Sequence, residues 1–154
     1  MLAEGAEILI VGAVLSTIKV ALGPTAGARF PAVSLAVPAA IDFQSSLGWG
    51  AIRNHNAQLV AHVRDRLGRI RGLTPATSVH PALHVFMTAY RLPATVDAVA
   101  WRRELWECFR VEVPIVERPE GLLVRASTHF YNTNEEIDRL ADAVEILLHA
   151  TNAS

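Results

Sequence analysis

The sequence predicts an α+β domain, a small antiparallel sheet covered on one face by helices in the order ααβαββα. Three observations carry that expectation. Apolar residues recur at helical spacing along two long segments, 51–70 and the stretch after Thr133. Between them lie short runs of alternating character closed by proline or by the turn Arg118-Pro119-Glu120-Gly121. Hydrophobic residues make up 51% of the 154 positions and charged residues 19%, enough apolar material for one filled core and too much for a disordered chain.

The elements follow in order. Val33 to Leu47 reads as a helix around Pro38, ended by Gly48-Trp49-Gly50. Ala51 to Ile70 reads as a second helix, with Ile52, Leu59, Val63, Leu67 and Ile70 on one face and Arg53, Asn56, Arg64, Asp65 and Arg69 on the other. Gly72 to Pro81 is expected as a loop, Leu83 to Leu92 as a strand closed by Pro93, and Thr95 to Phe109 as a helix. Arg110 to Glu117 and Leu122 to Ser127 are expected to pair as a hairpin. Thr133-x-x-Glu136 forms a capping box, in which hydroxyl and carboxylate satisfy free amides of the first turn. Ile137, Leu140, Ala141, Val144, Leu147 and Leu148 then supply the buried face of a final helix.

Upstream of all this, Ile8 to Leu22 is a nearly continuous apolar run broken by Ser16, Thr17 and Lys19. A membrane-crossing helix wants about 20 apolar residues, so this run is short for one. Glu4 and Glu7, not basic residues, precede it, which disfavours a secretion signal. It is expected either as a covering apolar segment or as a membrane anchor. Gly23 to Pro31 is the boundary joint, giving an N-terminal segment 1–26, a domain 27–150 and a tail 151–154.

Fourteen basic against fifteen acidic side chains give a net charge of -1, with no cationic excess for nucleic acid or an anionic membrane. The single Cys108 excludes a disulfide framework and a cysteine zinc cluster within this sequence, and a cytoplasmic location is the default expectation. Between Trp106 and Phe109, Cys108 reads as a small core residue. His80 and His84 are separated by Pro81, and His55 and His62 share a helix without an intervening carboxylate, so no metal site is expected. Strand alternation places Leu122, Val124 and Ala126 on one face and Leu123, Arg125 and Ser127 on the other. Arg125, near the strand's end and before a polar loop, can present a two-pronged donor to a carboxylate, or can pair with Glu112 or Glu117 of the hairpin.

The run from Arg125 through Ser127, Tyr131, Asn132 and Thr133 to Glu135, Glu136 and Asp138 resembles the C-terminal signature of the class V aminotransferases. These are the pyridoxal-phosphate enzymes that include cysteine desulfurases and isopenicillin N epimerases. Ala36 to Phe43, Leu47 to Arg53 with His55-Asn56, and Arg110 to Pro114 resemble other stretches of the same domain, so the likeness covers about Gly27 to Leu148. It implies the small C-terminal domain of a fold-type I enzyme acting on an amino acid by epimerase, desulfurase or transaminase chemistry. Arg125 is then expected to hold the substrate α-carboxylate, with Ser127, Tyr131 and Asn132 shaping the loop around it. Family members carry a Gly-Thr-Arg-Asp type run whose threonine reaches the cofactor phosphate. Here it is Gly27-Ala28-Arg29-Phe30, which leaves Arg29 as the cofactor-binding candidate.

The family's Schiff-base lysine belongs to a large domain upstream, and Lys19, the only lysine of this sequence, stands too near Arg29 to take that role. The resemblance therefore implies a chain that does not bind pyridoxal phosphate covalently and does not turn over alone. Its implied partners are an amino-acid substrate and either a second copy or a chain carrying the large domain. The alternatives are a non-enzymatic carboxylate-binding or dimerisation module, and a domain anchored to a membrane through residues 8–22.

Overall fold

The computed structural model describes residues 9–10, 29–78, 80 and 86–153, with side chains from residue 37 onward. Its elements are β1 (Leu9–Ile10), α1 (Arg29–Leu47), α2 (Trp49–Gly68), β2 (Thr74–Pro75), β3 (Met87–Arg91), α3 (Ala98–Phe109), β4 (Val111–Glu112), β5 (Ile115–Arg118), β6 (Gly121–Ser127) and α4 (Asn134–Ala153). An antiparallel sheet runs in the order β2-β3-β6-β5, with α2, α3 and α4 contributing to the core on one of its faces. The expected α+β class is therefore the observed one. The bulk of the Ile8 to Leu22 run, including Lys19, and the side chains of His84 and Arg29 lie outside the described residues.

Helix α1 starts at Arg29, inside the expected joint Gly23 to Pro31 and four residues before the expected Val33, and two strand regions also differ from the sequence expectation. Arg110 to Glu117 is not one strand: β4 pairs in parallel with β1, while β5 joins the four-stranded sheet. Pro114 separates the two, because proline has no N–H to continue a ladder. Its carbonyl still accepts the Arg125 N–H at 3.1 Å. Within the expected loop after Gly72, Thr74 and Pro75 form the edge strand β2 against Arg91 and Tyr90. Two residues at a sheet edge carry too little alternation to be read as a strand.

The remaining boundaries have local causes. Gly48 at φ 84° turns the chain sharply from α1 into α2. Asp97 caps α3 by accepting the Val99 and Ala100 amides at 2.8 and 3.0 Å, so the helix begins at Ala98, three residues after the expected Thr95. These bonds hold the Asp97 carboxyl below the usual carboxylate range. Arg118 pairs with Gly121 across a tight turn at Pro119-Glu120, and Gly121 takes φ 122°. Cys108 is exposed rather than a core residue. The buried face of α3 is Trp101 and Leu105, and the next contact is made by Phe109.

The predicted apolar face of the second helix is buried throughout, as is that of α4. Between these helices His62 meets Asp138 at 2.8 Å, and Arg66 meets Asp138 at 3.1 Å and Asp142 at 2.5 Å. The partners advance together along both chains, so α2 and α4 run parallel. Their N-terminal ends therefore lie at one end of the domain and their C-terminal ends at the other.

Candidate functional site

The site is built at the shared N-terminal end of α2 and α4, where β6 runs out. Register sets Ala89 opposite Arg125 and Met87 opposite Ser127 on the sheet face turned away from Val124 and Ala126. Arg125 is neither paired with Glu112 nor with Glu117. Glu117 is taken by Arg102 at 3.0 Å, and the same guanidinium reaches the Ile115 carbonyl at 2.6 Å. Among the described residues the buried Arg125 Nε has no hydrogen-bond partner. A buried donor without a partner is costly, because it has given up water for nothing.

The ladder continues one step past β6, with the Thr128 N–H donating to the Phe86 carbonyl at 2.8 Å. His129 then stands beside Phe86 with ring centroids 6.4 Å apart and planes 27° from parallel, and stacks on Tyr131 at 5.1 Å. Phe130 packs edge-on to His129 at 4.6 Å and meets Phe43 of α1 at 6.3 Å. Burial pushes the His129 imidazole pKa down, favouring the neutral ring, and its Nδ1 is buried without a partner. Burial, and secondarily the Glu136 carboxylate, pushes the Tyr131 phenol up, so it remains a protonated donor at neutral pH.

On the helix side of the same end, Thr128 Oγ1 and both amide atoms of Asn56 are also buried and unpartnered among the described residues. Five of the seven such atoms thus belong to Asn56, Arg125, Thr128 and His129, and the other two are the Nε atoms of Arg64 and of Arg66, the latter ion-paired with Asp138 at 3.1 Å. Both of those guanidiniums make other bonds, Arg64 to the Ser78 carbonyl and Arg66 to Asp142. The polar groups left without partners therefore gather at one end of the domain.

Of the residues singled out in the sequence, Arg125, Ser127, Tyr131 and Asn132 all lie on β6 or the loop after it. Ser127 is half-buried, and Tyr131 is exposed with its ring against His129. Asn132 is buried and bonded within the loop: its Oδ1 accepts the His129 N–H at 2.9 Å and its Nδ2 donates to Glu136 Oε2 at 3.0 Å. The capping box forms as expected, with Thr133 N–H donating to Glu136 at 3.0 Å and Glu136 N–H to the Thr133 hydroxyl at 3.3 Å. Sequence reasoning missed His55, whose Nε2 lies 3.1 Å from the Asn132 carbonyl, and His129, the hub of the ring cluster. The two helix histidines go to different partners, His55 to this loop and His62 to Asp138. Among the described residues no three metal-ligating side chains come together.

A cleft of about 390 Å³ opens at the opposite end, lined by Arg69, Arg71, Glu145 and His149 among others. Its cations sit by helix C-termini, where the helix dipole favours positive charge, and that is enough to account for them.

Comparison with known proteins finds relatives of the whole domain. Over 113 residues the chain is 51% identical to isopenicillin N epimerase of Amycolatopsis lactamdurans and 50% identical to that of Streptomyces clavuligerus. Each alignment takes in 73% of this chain and 28% of the relative, so the chain spans little more than a quarter of their length. Cysteine desulfurase from Thermococcus onnurineus NA1 superposes with a TM-score of 0.61, covering 71% of this chain and 29% of that one at 18% identity. Alanine–glyoxylate aminotransferase from Nostoc sp. does so at 0.53, covering 62% and 25% at 24% identity. Likenesses at such identities speak for the fold alone. No family model matches the chain.

Proposed function

From a chain homologous to the isopenicillin N epimerases and folded as the C-terminal domain of a class V aminotransferase-like protein, we propose a site that anchors the α-carboxylate of an amino-acid substrate. Arg125 is the anchor. The observation that carries this is its buried, partnerless Nε near the end of β6, with one of its expected hairpin partners, Glu117, held by Arg102 instead. A carboxylate brings two acceptors to a planar donor and removes the cost of the unpaired N–H. In this reading Tyr131, kept protonated, and Ser127 serve as the site's hydrogen-bonding groups, and the His129 ring stacked on Tyr131 as its apolar wall.

The described residues do not fit a covalently held pyridoxal phosphate. Its aldehyde needs an amine, none of the described residues is a lysine, and Lys19, the only one in the sequence, lies outside them. Arg29 stays a proposed phosphate contact. In the proposed arrangement this domain holds the carboxylate end of the substrate. The cofactor and the proton-moving groups of an epimerase-like reaction belong to the part of the relatives that this chain does not span. The chain by itself is then expected not to turn over. Support for a covering partner comes from α1, where Val37, Ile41, Phe43 and Leu47 are all exposed. Among the described residues no helix is long and apolar enough to cross a membrane.

The test is a titration followed by amide NMR, comparing L-leucine with L-leucinamide, which lacks the carboxylate. Leucine is expected to shift Arg125, Ser127 and Tyr131 resonances, and leucinamide to leave them in place. Arg125→Ala is expected to abolish the shifts and Arg125→Lys to keep a weakened response. Equal responses to acid and amide, or an unchanged response in Arg125→Ala, would sink the assignment.

A further inference from the structure

We propose that His55 and Asn132 are positioning residues that latch the loop 128–132 to the start of α2 and so fix where His129 and Tyr131 stand past the end of β6. This rests on the carboxylate-anchor reading of Arg125 for its consequence, though not for the latch itself.

Asn132 is only 6% exposed, and each of its four polar groups is engaged inside the protein. Its N–H donates to the His129 carbonyl at 2.9 Å and its Oδ1 accepts the His129 N–H at 2.9 Å, closing the turn on both sides. Its Nδ2 donates to Glu136 Oε2, which also accepts the Thr133 N–H, so the turn is tied to the first turn of α4. Its carbonyl is met by His55 Nε2, 77 residues away in the chain. A carbonyl only accepts, so the Nε2 of His55 carries the proton and donates. Asn132, expected to shape the loop around the carboxylate, is thus spent on the loop's own shape.

His55 supplies the bond that comes from outside the loop and its helix. Its neighbours fix where it stands: Ile52, Asn56 and Leu59 are buried on α2. The ion pairs of His62 and Arg66 with Asp138 and Asp142 hold α2 and α4 in register further along. Helix register therefore passes through one imidazole to the turn between His129 and Asn132. The rings of His129 and Tyr131 stack on each other within that turn, so its placement sets theirs together. A loop 1 Å out of place is enough to weaken a bound group substantially.

The experiment uses the full chain, with L-leucine as the probe. In His55→Phe, hydrogen exchange at the His129 and Asn132 amides is expected to quicken about tenfold, the weight of one net hydrogen bond, while core amides such as Leu140 and Val144 stay protected. Leucine is expected to bind about threefold to tenfold more weakly in His55→Phe, and His55→Gln, which keeps an N–H donor, to recover most of both. Histidine ¹⁵N spectra of the unsubstituted chain are expected to show a protonated Nε2 at His55, a readout that needs no variant. Unchanged exchange at His129 and Asn132 in His55→Phe, or a His55 protonated only at Nδ1, overturns the latch. A loosened loop with unchanged leucine binding overturns the positioning role. Should the unsubstituted chain fail to bind leucine, the carboxylate anchor falls instead, and the exchange comparison still decides the latch.

Discussion

Helices α1 and α4 are nearly equal in length, 19 and 20 residues, yet they relate to the rest of the molecule in opposite ways. Helix α4 is two-faced. Ile137, Leu140, Ala141, Ala143, Val144, Leu147 and Leu148 are buried, while its outer face carries Glu135, Arg139, Asp142 and Glu145. Helix α1 has apolar residues around its circumference, and from Val37 onward none of its residues is buried. A helix apolar on all sides is ordinarily one that is surrounded. The contrast teaches that α4 is shaped by a core inside this domain, whereas α1 from Val37 onward keeps its apolar side chains out of it. That agrees with a chain spanning 28% of its epimerase relatives.

The largest expected effect breaks the comparison most directly. Leu140 is 0% exposed, so Leu140→Ala removes packed methyl groups and leaves a cavity, at a cost of about 2–5 kcal/mol. Ile41 is 52% exposed, so Ile41→Ala is expected to change stability by no more than about 0.5 kcal/mol. Urea denaturation of the two variants measures both. A large loss at Ile41 would mean that α1 belongs to this domain's own core, and the inference of an outside partner would fail with it.

A smaller effect sharpens the account of where α4 begins. Thr133→Ala removes the hydroxyl that accepts the Glu136 N–H, with an expected loss of about 1 kcal/mol. The reciprocal bond from Thr133 N–H to Glu136 remains, so the helix keeps its start. Loss of helical signal over several turns in the variant's circular dichroism would show that the cap nucleates the helix rather than finishing it.

These features also mark what could be read from the sequence. The apolar faces of α2 and α4, the capping box and the β5–β6 hairpin were legible because each is local, written within about one turn of helix or one pair of strands, but Asn56, expected on the polar face of α2, is buried. Arg125 was legible for the same reason: period-two alternation in β6 sets it apart from the buried Val124 and Ala126. The break at Pro114 was marked by the proline, but the parallel pairing of β4 with β1 brings together segments about a hundred residues apart, which no local pattern encodes. His55 and Asn132 stand 77 residues apart, and the sequence holds no sign of their bond. Asn132 as a polar residue in a loop suits a ligand or a turn equally, and only its partners distinguish the two. Cys108 was misplaced because the last turn of α3 turns Phe109, not Cys108, toward the core.

The smallest expected effect lies at the ring cluster that joins Phe43 of α1 to Phe130 and His129 in the loop before α4. Burial holds the His129 pKa below that of a free imidazole, so protonation there opposes folding. The sign follows from proton counting. Between the folded and unfolded pKa values the unfolded chain binds more protons, so stability rises with pH. The contribution is complete above the ordinary imidazole value and is lost as pH falls through it toward the depressed folded value. His129→Gln is expected to remove that slope, seen as the difference between the two proteins' urea midpoints across the window. The His129 ring resonances are expected to titrate below a free histidine. A partner seated on α1 would bury the cluster further and move the midpoint lower still, whereas a midpoint at or above that of free imidazole would show a ring already open to water.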